Sequence, residues 1–202
     1  MELFIARHGE TEANAGRRVQ GSGVDTPLTE KGISQAKMLG KSVEGMAFDA
    51  IYSSPLKRAM DTARIAFGQE TQILTDKRLV EVGLGDAEGM TWEEFHEIYQ
   101  GDRLMLDPPA YIPPPNGEHL KDMIARMDSF LMDLANLANS PNSSKSGYKR
   151  VFVLAHGYVL RVVYACSVDK SVQSIIQSPR YENCQLARYV LGGSKWSHRD
   201  LS

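Results

Sequence analysis

Two segments far apart in this chain run an apolar stretch into the same dipeptide. "LFIARHG" at 3–9 ends in Arg7-His8-Gly9, and "VFVLAHG" at 151–157 ends in His156-Gly157. A third segment, "IYSSPLKR" at 51–58, places Arg58 a few residues beyond another apolar stretch. Taken singly, each residue has an ordinary reading as a satisfied polar group or a solvated helix residue. Together they bring two guanidinium groups and two imidazoles to the ends of three candidate strands. Arginine presents a planar, permanently charged fork of donors that matches phosphate oxygens. Imidazole can donate to such an oxygen or attack phosphorus through a nitrogen lone pair. A metal site would instead call for carboxylates beside the histidines, and the arginines would repel the cation. Phosphoryl transfer without a metal is the chemistry these residue types favour, and glycine after each histidine permits a sharp turn or a close backbone approach.

Such a cluster forms only if the three strands lie side by side and run the same way. The chain alternates short apolar, β-branched runs with helical patterns, which predicts a mainly parallel sheet covered on both faces. Strands are expected at 2–6, 49–54, 150–155 and within "CQLARYVL" at 184–191. Between the first two, Ile33, Ala36, Leu39 and Val43 recur at helical spacing behind Thr29 as N-cap. In the next helix Ser54 is the expected cap, Pro55 the first helical residue and Gly68 the close. A helix follows at 158–166 and a long one precedes at about 118–138, joined to its strand by the polar linker 139–149. Ligands of open α/β sheets bind beyond the carboxyl ends of the strands, where these residues would meet.

Gly83 to Gly117 breaks the alternation. Three glycines at 83, 85 and 89 are followed by Trp92, Phe95 and Tyr99, then by "DPPAYIPPPNG". The prolines forbid regular helix or central strand where they cluster. A lid or pocket wall is expected here, with Met90, Trp92, Phe95, Leu104, Met105 and Tyr111 either lining a pocket or packing the excursion onto the sheet.

The bulk properties bound these readings. The chain has 202 residues with 42% hydrophobic and 24% charged content, which suits one α/β domain spanning 1–202. Its 23 Lys and Arg against 25 Asp and Glu leave a net charge of −2, so no global field attracts nucleic acid or an anionic membrane. No apolar run approaches the roughly 20 residues of a membrane span, and no leader pattern precedes the first strand. Cys166 and Cys184 are the only cysteines and suggest no disulfide framework, so a reducing cytoplasm is expected. Oligomeric state is not legible, and a homodimer is one of the forms open to the chain.

The motifs "RHGETEAN", "GVDTPLTEKGISQA", "IYSSPLKRAMDTA" and "LAHGYVLR" resemble those of the histidine phosphatase superfamily, the branch containing phosphoglycerate mutases and related phosphatases. The resemblance covers essentially the whole chain. It implies a three-layer α/β/α fold of the phosphoglycerate mutase type with a lid-like insertion at 83–117. It implies His8 as the nucleophile that becomes a phosphohistidine, with Arg7, Arg58 and His156 around the phosphoryl group. Asn14 matches a phosphate-binding asparagine, and Gln20, Gly21 and Gly157 complete the implied substrate-binding set. Glu81 falls where the family keeps its proton donor, an assignment carried by the resemblance alone. On composition, Glu10, Glu12 and Glu88 are rivals, each more simply read as solvated surface. No cofactor and no metal are implied, and the expected partner is a small phosphorylated metabolite.

Hydrolysis through a phosphohistidine is the function so implied, with a mutase as the alternative and a non-catalytic phosphate-reading module as a third reading. Mutases of the family follow the second His-Gly with asparagine and carry paired arginines in the insertion. Here Tyr158 follows Gly157 and Arg103 stands alone in that region, although "GEHLKDMIARM" at 117–127 has mutase character. Phosphatase relatives commonly read Gly-x-Trp-Glu-Gly and Gly-Glu-Ser, where this chain has Gly85-Asp86-Ala87-Glu88-Gly89 and Gly117-Glu118-His119. His119 is expected at an exposed helix start, with a pocket contact as the alternative.

Overall fold

The computed structural model describes residues 1–99, 112–139 and 147–199. The chain runs β1 (Glu2–Arg7), α1 (Glu12–Ala15), α2 (Glu30–Ser42), β2 (Ala50–Ser53), α3 (Lys57–Phe67), β3 (Leu74–Thr75), α4 (Trp92–Tyr99) and α5 (Leu120–Asn139). It continues through β4 (Arg150–Ala155), α6 (Gly157–Val168), α7 (Val172–Gln177), β5 (Leu186–Gly192) and β6 (Lys195–Arg199). The sheet order is β3-β2-β4-β1-β5-β6. The pairs β3–β2, β2–β4 and β4–β1 are parallel, whereas β5 and β6 add an antiparallel margin.

Burial on both faces explains the apolar strands. In β1, Leu3 and Ile5 join Val151, Val153 and Ala155 of β4 in a core that α5 and α6 cover with Met123, Met127, Phe130, Leu160 and Val163. On the opposite face, Phe4 and Ala6 join Phe152 and Leu154 under Leu39 and Val43 of the α2 end and Ala63 of α3. Alternate residues of one strand thus serve two cores, the three-layer arrangement expected. Phe48, Phe67 and Phe152 seal the second core edge-to-face, with centroids 4.8–6.0 Å apart.

Register is the structural fact that matters most for chemistry. Ala6 pairs with Leu154 and Arg7 with Ala155, so His8 and His156 are the next step of the same ladder. β2 is aligned to β4 with Ser53 opposite Leu154, and the helix that follows it, α3, begins beside them.

Several local expectations are corrected. Ser54 does not cap α3 and Pro55 is not its first residue: the N-cap is Leu56, which has no side-chain cap bond. The Ser54 hydroxyl instead accepts from the Leu56 amide at 3.3 Å, and Asp25 supplies the cap from a distant loop, accepting from the Lys57 and Arg58 amides. Ile33 is 36% exposed, because the inward face of α2 is Gly32, Ala36 and Leu39. The two-residue β3, the short α1 and α7, and the closing strand β6 were not expected. Within the excursion, α4 precedes the prolines, and Phe95 is buried in the main core with Met90 and Trp92 packed against it. Residues 100–111, which include Arg103, Leu104, Met105 and Tyr111, lie outside the described residues, as do 140–146 of the polar linker. Among the described residues no helix is long and apolar enough to cross a membrane.

Gly9 illustrates how tightly the first histidine is seated. A Cβ there would lie 2.6 Å from the carbonyl oxygen of Gly32 in the first turn of α2, and the Gly9 amide donates to Thr62 Oγ1 at 3.0 Å. At Gly157 an added Cβ would meet nothing closer than Arg7 Nε at 3.7 Å, which is ordinary contact. Gly9→Ala is therefore expected to cost about 1–3 kcal/mol in a urea titration, and Gly157→Ala less than about 0.5 kcal/mol. Equal stability of the two variants would contradict this packing.

Candidate active site

β1 delivers Arg7 and His8 to the carboxyl edge of the sheet, β4 delivers His156, and α3 brings Arg58 across from the side. His8 is 3% exposed, Arg58 1% and His156 0%. The two imidazole rings stand 5.2 Å apart, centroid to centroid, tilted by 59°, close to the spacing of neighbouring strands.

Each group is held by contacts that leave one side for chemistry. His8 Nδ1 lies 2.7 Å from the carbonyl oxygen of Gly9. A neutral ring in this position must carry its proton on Nδ1, so the lone pair is on Nε2. Arg58 donates through Nη1 to the Val24 carbonyl and Asp25 Oδ1, both at 3.0 Å, and through Nη2 to the Gly21 carbonyl at 2.7 Å. Arg7 donates through Nη1 to the Tyr181 carbonyl at 2.8 Å. Among the described residues, four buried nitrogens have no hydrogen-bond partner: Arg7 Nε, Arg58 Nε, and both Nδ1 and Nε2 of His156. Buried donors without partners are costly, at about 1–3 kcal/mol each. Donors gathered in this way can be satisfied by the oxygens of an external oxyanion. His156 is also the N-cap of α6 but makes no side-chain cap bond, so its ring is not consumed in capping.

Asn14 belongs to the same wall. Its Oδ1 accepts from the Thr11 amide at 3.2 Å in a capping box that starts α1 and from Asn183 Nδ2 at 3.3 Å, which fixes the amide orientation and leaves its own Nδ2 for the cavity. Gln20 accepts from Thr26 Oγ1 at 3.3 Å, and Gly21 turns the loop in the left-handed region at φ +55. A Cβ on Gly21 would collide with Glu88. With Gly157, these residues line a cavity of about 410 Å³ that also contains Arg7, His8, Arg58 and Glu81. Every residue expected at the site except His156 lines this cavity, and the His156 ring is the neighbour of the His8 ring across the β1–β4 ladder.

Glu81 sits between the buried side chains of Leu79 and Val82, opposite the N-terminus of α6. Its Oε1 accepts from the Val82 amide at 3.0 Å, and its Oε2 from the Tyr158 amide at 3.4 Å. The rivals are otherwise engaged. Glu10 pairs with Lys31 at 2.6 Å and accepts from Thr29 Oγ1 at 2.9 Å, and Glu12 is exposed. Glu88 is a loop anchor rather than the solvated surface group expected, accepting from the amides of Ser22, Gly23 and Leu84 at 2.7–3.0 Å. His119 is exposed at the start of α5 and is not part of the cavity wall.

Burial sets the protonation states. It lowers His8 and His156 well below the usual imidazole range, and the neighbouring Arg58 and Arg7 charges push the same way. Burial raises the Glu81 carboxyl, against the opposing pull of Arg58, of the Val82 and Tyr158 amides and of Arg7. The free site thus offers a neutral nucleophilic imidazole and a carboxyl inclined to hold its proton. Among the described residues, no group of three His, Cys, Asp or Glu side chains is placed to hold a metal ion.

Asp25, Thr62, Arg126 and Glu118 were not legible as contributors. Asp25 both caps α3 and pairs with Arg58. Thr62 Oγ1 links the Arg58 carbonyl at 2.7 Å to the Gly9 amide, tying the segments that carry Arg58 and His8 together. Arg126 pairs with Glu118 at 2.7 Å and donates to the Arg78 carbonyl, bracing the loop that carries Glu81. All four fall inside quoted segments, at 23–36, 51–63 and 117–127, but those segments specified no partner for them.

Comparison with known proteins places these observations. The family model described as histidine phosphatase superfamily (branch 1) matches residues 3–202. The fructose-2,6-bisphosphatase TIGAR of Xenopus tropicalis is 36% identical over 150 residues, 71% of this chain, and the chain spans about half of that relative, 53%. Phosphoserine phosphatase 1 of Hydrogenobacter thermophilus is 32% identical over 166 residues, 81% of this chain and 74% of the relative. The structure of mycobacterial glucosyl-3-phosphoglycerate phosphatase with VO3 superposes with a TM-score of 0.83 at 28% identity, covering 98% of this chain and 96% of the other. Phosphoglycerate mutases also stand among the relatives.

Two measurements probe the site. Asp25→Ala removes the carboxylate partner of a buried guanidinium and the cap of α3, and is expected to cost about 1–3 kcal/mol in denaturant titration; a cost below about 0.5 kcal/mol would show that Asp25 supports neither. Sulfate, which carries no titrating proton between pH 5 and 7, should bind more tightly as pH falls through this window. An oxyanion beside His156 raises a pKa that burial has depressed, so binding takes up protons and the affinity can rise by as much as tenfold per pH unit for one proton. Calorimetric affinity that is flat across the window, or equally steep in His156→Gln, would refute this assignment.

Proposed function

The chain belongs to the histidine phosphatase superfamily, branch 1, and from that premise we propose that it is a metal-independent phosphomonoesterase that acts through a phosphohistidine at His8. The observation that carries the reading is the set of buried nitrogens of Arg7, Arg58 and His156, without a partner among the described residues, gathered beside the imidazole of His8.

In this reading the phosphate of a small monoester lies among Arg7, Arg58, His156 and the Asn14 amide. His8 Nε2 attacks phosphorus, a nitrogen–phosphorus bond forms, and the phosphorus–oxygen bond to the leaving alcohol breaks. Charge builds on that oxygen in the loose transition state, and Glu81 delivers the proton that lets it leave as the alcohol. General acid assistance of this kind contributes about 100- to 10,000-fold. Water then attacks the phosphohistidine while Glu81, now ionised, takes its proton. The nitrogen–phosphorus bond breaks and inorganic phosphate departs, restoring neutral His8 and protonated Glu81. The Nδ1–Gly9 hydrogen bond keeps the ring in one tautomer and orientation throughout, which is the rigidity that in-line attack requires.

Residues 1–202 are read here as one histidine phosphatase domain, with 83–117 as its lid-like insertion and Gln20, Gly21 and Gly157 as backbone and side-chain contacts to the substrate. Cys166 and Cys184 are both free thiols, which supports a reducing cytoplasm as the working compartment.

The direct test is chemical trapping. Brief exposure to a phosphate monoester should leave acid-labile, base-stable phosphate on wild-type protein and none on His8→Ala, with steady-state turnover in the presence of a chelator. Glu81→Gln should slow the release of an alkoxide by about 100-fold or more and spare p-nitrophenolate, which leaves without a proton. Absence of the phosphoenzyme would leave a phosphate-binding module, and rapid isomerisation of 3-phosphoglycerate primed by 2,3-bisphosphoglycerate would identify a mutase instead.

A further inference from the structure

His8 and His156 stand at the ends of strands buried on both faces, but Glu81 has no such support. It lies in irregular chain between two short 3-10 turns, Lys77–Leu79 and Gly85–Ala87. It borders the phosphoryl cavity and also a second, open cavity of about 330 Å³, whose wall includes Ser22, Lys77, Glu118 and Arg126. Its carboxyl contacts, the Val82 and Tyr158 amides, do not fix where its own backbone runs.

That backbone is held by an ion pair from outside the phosphoryl cavity, since neither Glu118 nor Arg126 lines that cavity. Arg126 stands in the second turn of α5, with its side chain 19% exposed, and all three of its nitrogens are engaged. Nε and Nη2 hold the two Glu118 oxygens at 2.7 and 2.9 Å, the bidentate geometry that makes such a pair directional. Nη1 donates to the Arg78 carbonyl, and Nη2 reaches the Glu81 carbonyl more loosely at 3.5 Å. Glu118 in turn accepts from the Gly83 amide at 3.2 Å, and its own amide donates to the Gly83 carbonyl at 2.7 Å. The chain is thus gripped at 78, 81 and 83, on both sides of the acid. Arg78 closes the clamp from the other direction, donating to Ser129 and Asp133 of α5 at 3.1 and 2.6 Å.

We propose that Arg126 and Glu118 are positioning residues for the acid step, setting where the Glu81 carboxyl stands against the leaving oxygen. This rests on the phosphomonoesterase reading above and adds how its acid is held. Acid assistance contributes about 100- to 10,000-fold, and a displacement of about 1 Å can forfeit about 100-fold. A chain released at 78, 81 and 83 can lose that much while Arg7, His8 and Arg58, held by other contacts, stay in place. The charge of Arg126 also lowers the proton affinity of His156, an effect that every ester would feel alike.

Two esters separate the acid step from the rest. Glycerol 3-phosphate releases an alkoxide that needs a proton, whereas p-nitrophenolate leaves without one, and kcat/KM reports phosphoenzyme formation for both. In Arg126→Gln and in Glu118→Gln, kcat/KM for glycerol 3-phosphate should fall at least about tenfold while that for p-nitrophenyl phosphate changes less than about threefold. Arg126→Lys keeps the charge but not the planar fork, and should show the same selective loss. Placed in Glu81→Gln, Arg126→Gln should lower the two esters equally, because the group it positions is gone. Should Arg126→Gln lack a urea transition, Glu118→Gln and Arg126→Lys decide the matter. Equal losses on both esters in the single variants, an unchanged ratio, or a further selective loss in the Glu81→Gln background overturns the positioning role and leaves the phosphatase reading standing. Wild-type turnover of p-nitrophenyl phosphate but of no alkyl phosphate also overturns it, since no acid step would then need an acid in place. Wild-type protein inert toward every ester ends the phosphatase reading and this inference with it.

Discussion

The site depends on keeping a guanidinium charge almost entirely out of water. Arg58 is 1% exposed, and an unpaired charge so placed would be strongly destabilising. The protein answers most of it with Asp25 and the carbonyls of Gly21 and Val24, which fixes the path of the 20–25 loop. That loop is in turn pinned by Glu88 through the Ser22 and Gly23 amides, and Asp25 also starts the helix on which Arg58 rides. One buried cation therefore dictates a loop, a helix start and the near side of the cavity. What the protein leaves unanswered, Nε, is what a phosphoryl oxygen can use.

The far side is set by β-sheet register. Both β1 and β4 bury alternate residues in two different cores, so a slip of one position would exchange the contents of those cores and expose the strand ends to the wrong layer. Packing therefore locks Arg7 opposite Ala155, and the histidines follow as the next pair. The catalytic geometry proposed here is a by-product of core packing, which has the stiffness that a nucleophile needs and that a loop could not supply alone.

This also explains what could be read in the sequence. Apolar runs ending in His-Gly were legible because fully buried strands are short, continuous and apolar, and their ends meet at one edge of a parallel sheet. Their register was not, because "LFIA" and "VFVLA" are apolar on both faces and carry no phase. Ser54-Pro55 has the local signature of a helix start, yet Asp25 reaches in from a loop about 30 positions earlier and takes the role, a contact with no local signal. β3 is two residues long, and "KWSHR" of β6 has one buried residue, Trp196; neither offers a periodicity to detect. Glu81 lies between turns in irregular chain, where composition cannot separate it from Glu88. Only the family resemblance selected it, and the two carboxylates differ in what they face: three loop amides and the Ser22 hydroxyl for Glu88, the arginine-lined cavity for Glu81.

The arginines and the burial of Glu81 pull its proton in opposite directions, and the balance changes with the ligand. In the free site, Arg58 and Arg7 favour the carboxylate while burial favours the acid. A phosphate dianion seated between those arginines neutralises the field that supported the carboxylate and adds a negative charge of its own beside it. Both effects favour protonated Glu81 at the moment when an alcohol must leave. In the mechanism proposed above, transfer to His8 and departure of the alcohol would leave Glu81 ionised beside a ligand of lower negative charge, poised to accept a proton from water. In the proposed mechanism the same two arginines that would hold the phosphoryl group would thereby set the acid before the first step and the base before the second.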